Sequence, residues 1–446
     1  MVASALSLQA SVTSAEDAKK SVSSEVQLAP QKVTLPNGFT ALLAPDATAT
    51  RVTARLVWDL GVKDDPKDIP GLSEVIEPLL ADPSTRHVRR EQRGALERAL
   101  GIEEWQTDVG AGFDQTHVTL TVPNADVNLA LWMLADRMGF VLDGVEDPIV
   151  SEKASSVVPR GWDAAATFRL GRAALFGKDH PYGGSFDLRA LTAKAVRAQM
   201  RRHLVPRNAI LALAGAFDAK DAKARIEEYF GPLADLPKPA APAVPKVALT
   251  SERRVRGEAA VPLPEVGVLW ATAPFIDAED AAFDALSYIL DERLTKKHVD
   301  GTKAATFVNA HQSSMVLGSV FEVHMRVAAG HTEQEIEGLI EAEVEKLRAE
   351  GPTADEARRA TRQYVLTRTL DLTRSSQRAY AMSILHFAKG DAGFAPGWVA
   401  QYETLTAEKI RAAAQKYLGK SQRVVVTITP NPRAPSFGRP ISGGGL

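Results

Sequence analysis

Two carboxylates three residues apart, Glu74 and Glu77, stand in the segment Gly71-Leu72-Ser73-Glu74-Val75-Ile76-Glu77-Pro78-Leu79-Leu80. On a helix that spacing puts both on one face. A carboxylate pair can hold a cation, although two carboxylates on a helix are most often solvated or bound to arginines. Hydrolytic chemistry on the same helix would need different residues. A helix reading H-x-x-E-H sets two imidazoles one turn apart to bind zinc, with a glutamate between them to activate the bound water. Glu74, Glu77 and Pro78 occupy the places of first ligand, base and second ligand, and a base without a metal has nothing to activate. The other histidines offer no replacement, because no H-E-x-x-H and no H-x-x-E-H occurs and His87 to Glu91 is only a loose pair. Cysteine is absent, which removes thiolate ligands and disulfides. No phosphate loop, nucleophile elbow or dinucleotide fingerprint is present.

The elements that would position these groups can be read from periodicity. Apolar residues recur at helical spacing at Val127, Leu131, Leu134 and Met138, and again at Ile336, Leu339, Ile340, Val344 and Leu347. The second of these helices is opened by Thr332 with Glu335 as a capping box and stopped at Gly351-Pro352. Strand patterns cover Arg51 to Asp59, Gln115 to Val122, Ala209 to Gly215, Glu265 to Thr272, Val320 to Val327 and Arg423 to Thr429. Neighbouring strands with helices grouped between them indicate an α+β fold rather than a doubly wound parallel sheet. The six tryptophans, at 58, 105, 132, 162, 270 and 398, follow no spacing that would form a cofactor cage and read as core or interface anchors.

An internal repeat sets the organisation. Leu191-Thr192-Ala193-Lys194, then Arg202-His203-Leu204 and the run Ala209 to Leu213, is echoed by Leu405-Thr406-Ala407-Glu408, Lys416-Tyr417-Leu418 and Val424 to Ile428. Each copy reads as an N-capped helix running into a buried strand, so two related halves are expected, each a mainly antiparallel sheet packed with helices. The stretch from Pro232 to Val247 carries five prolines among small residues, a composition that resists helix and ladder alike. The expected division is therefore a segment over 1–30, a first domain over 31–231, a linker over 232–252, a second domain over 253–430 and a loose or draped tail over 431–446.

Composition narrows the function classes. At 446 residues with 45% hydrophobic content the chain can build a sizeable core. Lys+Arg 53 against Asp+Glu 55 gives a net charge of −2, which offers no field for nucleic acid or an anionic membrane. Basic pairs such as Arg89-Arg90 and Arg253-Arg254 read as solvated faces. No run approaches the roughly eighteen apolar residues of a membrane span, and residues 1–30 hold no apolar core of signal-peptide length. A soluble protein of bacterial cytoplasm or periplasm is expected, the lack of cysteine favouring the periplasm mildly.

The ordered marks Leu35-Pro36-Asn37-Gly38, the Gly71-Leu72 helix, Asp179-His180-Pro181-Tyr182-Gly183, Pro206-Arg207-Asn208-Ala209 leading to Gly215-Ala216-Phe217-Asp218, and Tyr229-Phe230-Gly231-Pro232-Leu233 together resemble the pitrilysin, or insulinase-like, zinc peptidase family. The resemblance covers about Val33 to Pro430 and is to short two-domain subunits of the mitochondrial-processing-peptidase type and their bacterial relatives. Three departures follow from it. The metal helix is degenerate at Glu74, Glu77 and Pro78. The family's third ligand, a glutamate after a Val-Val pair, falls near Gly161 after Val157-Val158. An Arg and a Tyr that hold the substrate carbonyl in active relatives fall near Val299 and Thr306.

The resemblance implies a non-catalytic subunit of a heterodimeric peptidase, with no cofactor in this chain and zinc in a homologous partner. Such a chain forms half of a chamber for an extended peptide. By position in the family, the peptide-capturing edge would be near Glu104, Trp105 and Gln106, since strand addition draws its affinity from backbone hydrogen bonds; an ordinary edge strand reads the same way. His180 and Tyr182 carry the family's turn motif and are expected to pack or cap. The alternatives are a structural core subunit or homodimeric scaffold without a peptidase role, and a divergent active metalloendopeptidase.

Overall fold

The computed structural model describes residues 28–441 except 93–94, 96–97, 99–100, 102–104, 158–164, 185, 246 and 248. Two six-stranded sheets dominate it. The first contains β1 (Gln31–Thr34), β2 (Thr40–Pro45), β3 (Arg51–Trp58), β4 (Gln106–Ala111), β5 (Thr116–Pro123) and β6 (Ala209–Gly215), in the order β1-β2-β6-β3-β5-β4. The second contains β7 (Arg253–Ala259), β8 (Glu265–Thr272), β9 (Ala305–Ser313), β10 (Ser319–Val327), β11 (Arg423–Pro430) and β12 (Arg439–Pro440), in the order β12-β7-β11-β8-β10-β9. Each sheet is antiparallel apart from one parallel pair, β2 with β6 and β7 with β11. The α+β architecture of two similar halves is therefore present.

The helices of the first half are α1 (Leu72–Ala81), α2 (Val127–Phe140), α3 (Asp147–Ser156), α4 (Ala166–Phe176), α5 (Ala193–His203) and α6 (Ala219–Phe230). Those of the second are α7 (Asp280–Leu294), α8 (Glu333–Glu350), α9 (Ala354–Asp371), α10 (Ser375–Lys389), α11 (Ala395–Glu403) and α12 (Ala407–Tyr417). The sequence repeat corresponds to α5–β6 and α12–β11. Thr192 Oγ1 accepts from Ala195 N at 3.1 Å, and Thr406 Oγ1 accepts from Lys409 N at 3.3 Å. The capping box expected at Thr332 is only half made: Thr332 Oγ1 accepts from Glu335 N, but the Glu335 carboxylate pairs with His331 Nδ1 at 2.9 Å. The complete box belongs to Thr353 and Glu356, where both reciprocal bonds form.

Strand β6 shows how the layers are built. Its residues Ala209-Ile210-Leu211-Ala212-Leu213-Ala214-Gly215 are all buried, because alternate side chains enter different cores. Leu211 and Leu213 join Leu56, Trp58, Val75 and Ile226 in the core of the first half. Ile210, Ala212 and Ala214 face the other way and meet Ala379, Met382 and Leu385 of α10, together with Trp398 and Tyr402 of α11. The arrangement is reciprocal. In the second sheet Val425, Val268 and Trp270 face α7, α8 and α12, while Val424, Val426, Ile428 and Leu269 are covered by Phe168, Leu170 and Leu175 of α4. Each sheet thus lends one face to helices from the other half.

Polar contacts pin the exchange. Thr53 and Ser375 hydroxyls lie 3.0 Å apart, Arg55 Nε donates to Ser383 Oγ at 3.3 Å, and Arg378 Nη1 donates to Asp46 Oδ2 at 2.7 Å. At the hairpin tips, Asp114 between β4 and β5 accepts from the Tyr182 hydroxyl and from Val316 N at 3.1 Å, while Leu317 N donates to Tyr182 Oη at 3.2 Å. Among the described residues of 232–252 none belongs to a helix or strand. The described part of the tail is docked: β12 pairs with β7, and Phe437 meets Phe186 edge-on at 5.9 Å.

Leu385 is fully buried where α10 crosses the first sheet. Leu385→Ala is expected to cost about 2–5 kcal/mol and, because the contact joins the halves, to shift one cooperative urea transition. A split into two transitions, with the first sheet unaffected, would contradict the reciprocal packing.

Candidate functional site

Helix α1 buries Leu72, Val75, Ile76, Leu79 and Leu80, an i, i+3, i+4, i+7, i+8 stripe that fixes its rotation against the first core. It begins at Gly71, whose φ of 100° is left-handed and where a Cβ would lie 2.5 Å from Phe186. Its N-terminus is capped from upstream: Asp65 accepts from Gly71 N at 2.8 Å, Ser73 N at 2.9 Å and Ser73 Oγ at 3.3 Å. Burial pushes the Asp65 carboxyl up to about 7 in spite of these bonds. The cap was not legible in the sequence because Asp65 stands six residues before the helix, outside the usual capping window.

Glu74, Glu77 and Pro78 occupy the half-buried side of α1. Pro78 lies inside the helix and offers neither an N–H nor a side-chain donor atom. Glu77 Oε2 accepts from Ala111 N at 3.3 Å, so the carboxylate in the base position is bonded to the edge strand β4. The second half repeats the device: Asp291 of α7 accepts from Ala310 N of edge strand β9 at 3.2 Å. Glu74 lines a cavity of about 380 Å³ whose charged residues include Lys63, Lys67, Arg169 and Arg172 as well as Asp65 and Asp179. These residues do not fit the zinc of an H-x-x-E-H helix. Among the described residues no group of three or more His, Cys, Asp or Glu side chains is placed to hold a metal ion.

The other expected positions are dispersed. Gly161 and Glu104 lie outside the described residues. Trp105 is packed against the first core and donates through Nε1 to Asp126 Oδ2 at 3.0 Å; Gln106 opens β4, exposed and paired with Thr121. Val299 ends a π-helical turn against the second core, and Thr306 is exposed on β9. His180 is buried, stacks on Phe176 at 4.4 Å and accepts through Nδ1 from Tyr182 N at 3.1 Å, which is the packing role expected of it.

Backbone alternation completes the picture of β4. Gly112 N bonds to Gln115 O within the hairpin and Ala111 N points out to Glu77, so Thr107 and Val109 also present their N–H groups to the open edge. Sequence reading missed a second cavity of about 510 Å³ between the sheets. Its residues come from positions 55 to 402, and no local motif could have marked it.

Residues 190–364 match the family model described as Peptidase M16 inactive domain. No curated protein matches the sequence. Among solved structures the chain is similar to a protease from Helicobacter pylori, at 19% identity over 90% of this chain and 100% of that one, with a TM-score of 0.78. It is similar to the peptidase M16 inactive domain from Pseudomonas fluorescens at 18% identity over 91% and 98%, with a TM-score of 0.76. It also matches the periplasmic protease PqqL from Escherichia coli at 14% identity, covering 91% of this chain and 46% of that one, with a TM-score of 0.72. At these identities the structural likeness shows the fold. No helix among the described residues is long and apolar enough to cross a membrane.

The raised Asp65 carboxyl has a pH consequence. The folded chain keeps this proton up to about 7 while the unfolded chain releases it near the ordinary aspartate value of 3.8. The stability it contributes is therefore full below about pH 4 and is lost as pH rises to about 7. Urea midpoints measured at pH 5 and 7.5 should differ less in Asp65→Asn than in the native chain. An unchanged difference would show that Asp65 is not the source.

Proposed function

We propose that the chain, which has the fold of the M16-like structures and whose residues 190–364 match the Peptidase M16 inactive domain model, is the non-catalytic subunit of a two-chain zinc peptidase, shaping a peptide-binding chamber while a homologous subunit carries the metal. One observation supports this reading: α1, which the reading takes as the counterpart of the metal helix, is well packed and carries Glu74, Glu77 and Pro78 in place of ligands, with Glu77 bonded to Ala111 N. A scaffold without the ligands has shape and association as its working properties. The twofold length of PqqL relative to this chain supports a second body of similar size.

The peptide contact in this reading is strand addition on β4. Gln106, Thr107 and Asp108 are exposed at the edge, and Thr107 and Val109 present outward N–H groups, so an added strand finds donors at the N-terminal end of β4. At the other end Glu77 already occupies Ala111 N and limits how far such a strand extends. The absence of cysteine and the periplasmic neighbour favour a periplasmic setting.

The test is metal analysis and co-purification. Expressed alone, the chain is expected to carry zinc far below one ion per molecule and to cleave no unfolded peptide. With a zinc-bearing M16 subunit it is expected to form an equimolar complex with chelator-sensitive activity. Stoichiometric zinc and turnover in the isolated chain would overturn the reading, and a stable homodimer that ignores the zinc subunit would favour a scaffold role.

Strand addition gives a separate expectation. Thr107→Pro removes an outward N–H without touching the β5 ladder, so peptide affinity of the complex should fall while zinc content stays constant. Unchanged affinity would exclude β4 as the capturing edge.

A further inference from the structure

The cavity of about 510 Å³ between the two sheets has no part in the strand-edge reading. Arg55, in the middle of β3, contributes to its wall and is 6% exposed. Its Nη1 donates to Thr119 Oγ1 at 2.9 Å, its Nε to Ser383 Oγ at 3.3 Å, and the Tyr380 ring lies 5.4 Å from Cζ. The carboxylate beside it is Asp108, 3.8 Å away, which is 70% exposed and itself bonded to His117 Nε2 at 2.9 Å. Nη2 makes no hydrogen bond with any described residue. A buried guanidinium with one distant, solvated counter-ion is incompletely compensated, and burial holds Arg55 down to about 10.

A second guanidinium shares the cavity. Arg368 of α9 lies 4.3 Å over the Trp398 ring, and its Nε is buried without a hydrogen-bond partner. Arg368 has the Asp284 carboxylate and the Tyr402 hydroxyl beside it, so its compensation is partial. The three acids of the same wall, by contrast, are served by donors: Asp114 accepts from the Tyr182 hydroxyl and from Val316 N at 3.1 Å. Asp280 accepts from Ile276 N at 3.1 Å, Gln312 Nε2 at 3.3 Å and Ser314 Oγ at 2.7 Å, and Asp284 accepts from the Tyr402 hydroxyl at 2.5 Å. The unmet requirement is therefore for an acceptor. Phe275, Ile384 and Trp398 supply an apolar surface around it.

We propose that this inter-sheet cavity binds a ligand carrying a carboxylate on an apolar body, with Arg55 Nη2 as the main anchor and Arg368 as the second. The planar fork of a guanidinium matches a carboxylate in geometry and charge, and the volume suits one small molecule or one residue. Ala111 of β4 and His311 of β9 also line the cavity, so the carboxylate is supplied either by a free organic acid or by the last residue of a peptide. The site needs no partner subunit, so its failure leaves the proposed function untouched and the reverse also holds.

The experiment titrates the full chain with N-acetylphenylalanine and with its amide, by calorimetry and tryptophan fluorescence, and repeats both with a short peptide ending in a free or amidated phenylalanine. The acids are expected to bind at least about tenfold more tightly than the amides, since a hydrogen bond to a charged group contributes roughly 1.5–3 kcal/mol. Arg55→Gln should remove that preference and Arg368→Gln should weaken it. Preference confined to the peptide pair identifies a peptide end as the source, and preference in both pairs identifies any apolar carboxylate. Equal affinity of acid and amide, no saturable binding of either acid, or an unchanged preference in folded Arg55→Gln would overturn the proposal. Should Arg55→Gln fail to fold, the acid–amide comparison on the native chain decides alone.

Discussion

The structure depends on a reciprocal burial. Neither sheet can satisfy both of its faces with helices from its own stretch of chain, so α4 covers the second sheet while α10 and α11 cover the first. A sheet whose strands are apolar on both faces must be sandwiched, because exposing rows such as Ile210, Ala212 and Ala214 or Val424, Val426 and Ile428 would forfeit the apolar burial that drives folding. The exchange makes the two halves one thermodynamic body. It also fixes their relative orientation closely enough for hairpin tips to meet through Asp114, Tyr182, Val316 and Leu317.

On that frame, carboxylates serve architecture. Asp65 caps the first turn of α1, Glu77 bonds the amide of Ala111, and Asp291 does the same for Ala310 in the other half. An edge strand has unpaired donors that invite another chain, and a carboxylate placed on one of them limits where pairing can begin. Glu77 thus makes on β4 the contact that an aspartate of α7 makes on β9 in the other half. That equivalence is a physical reason to read Glu77 as structural.

The same exchange creates the two concave regions. Helix α4 brings Arg169 and Arg172 to the start of α1, and α10 brings Tyr380 and Ser383 over Arg55. Polar groups buried at a junction of two halves are matched less completely than those inside one core, since each half must also complete its own ladder and caps first. Arg55 and Arg368 are the residue of that mismatch, and they are where a ligand has something to contribute.

Much of this was legible in order of residues alone. Apolar periodicity located the long helices and most central strands, and the repeat announced two halves. These are local signals, carried by spacings of two to four residues. Apolar periodicity did not mark β1, β4 or β9: three of four residues of β1 and three of six of β4 are exposed, and β9 interleaves its apolar residues with Asn309, His311 and Gln312. The resemblance alone pointed to an edge at the start of β4. The Asp65 cap, the Glu77–Ala111 and Asp291–Ala310 bonds, and the cavity around Arg55 were decided by tertiary structure only. They join residues far apart in the chain, and what brings them together is the crossing of helices between sheets, an arrangement set by the burial of whole faces rather than by any neighbouring residue.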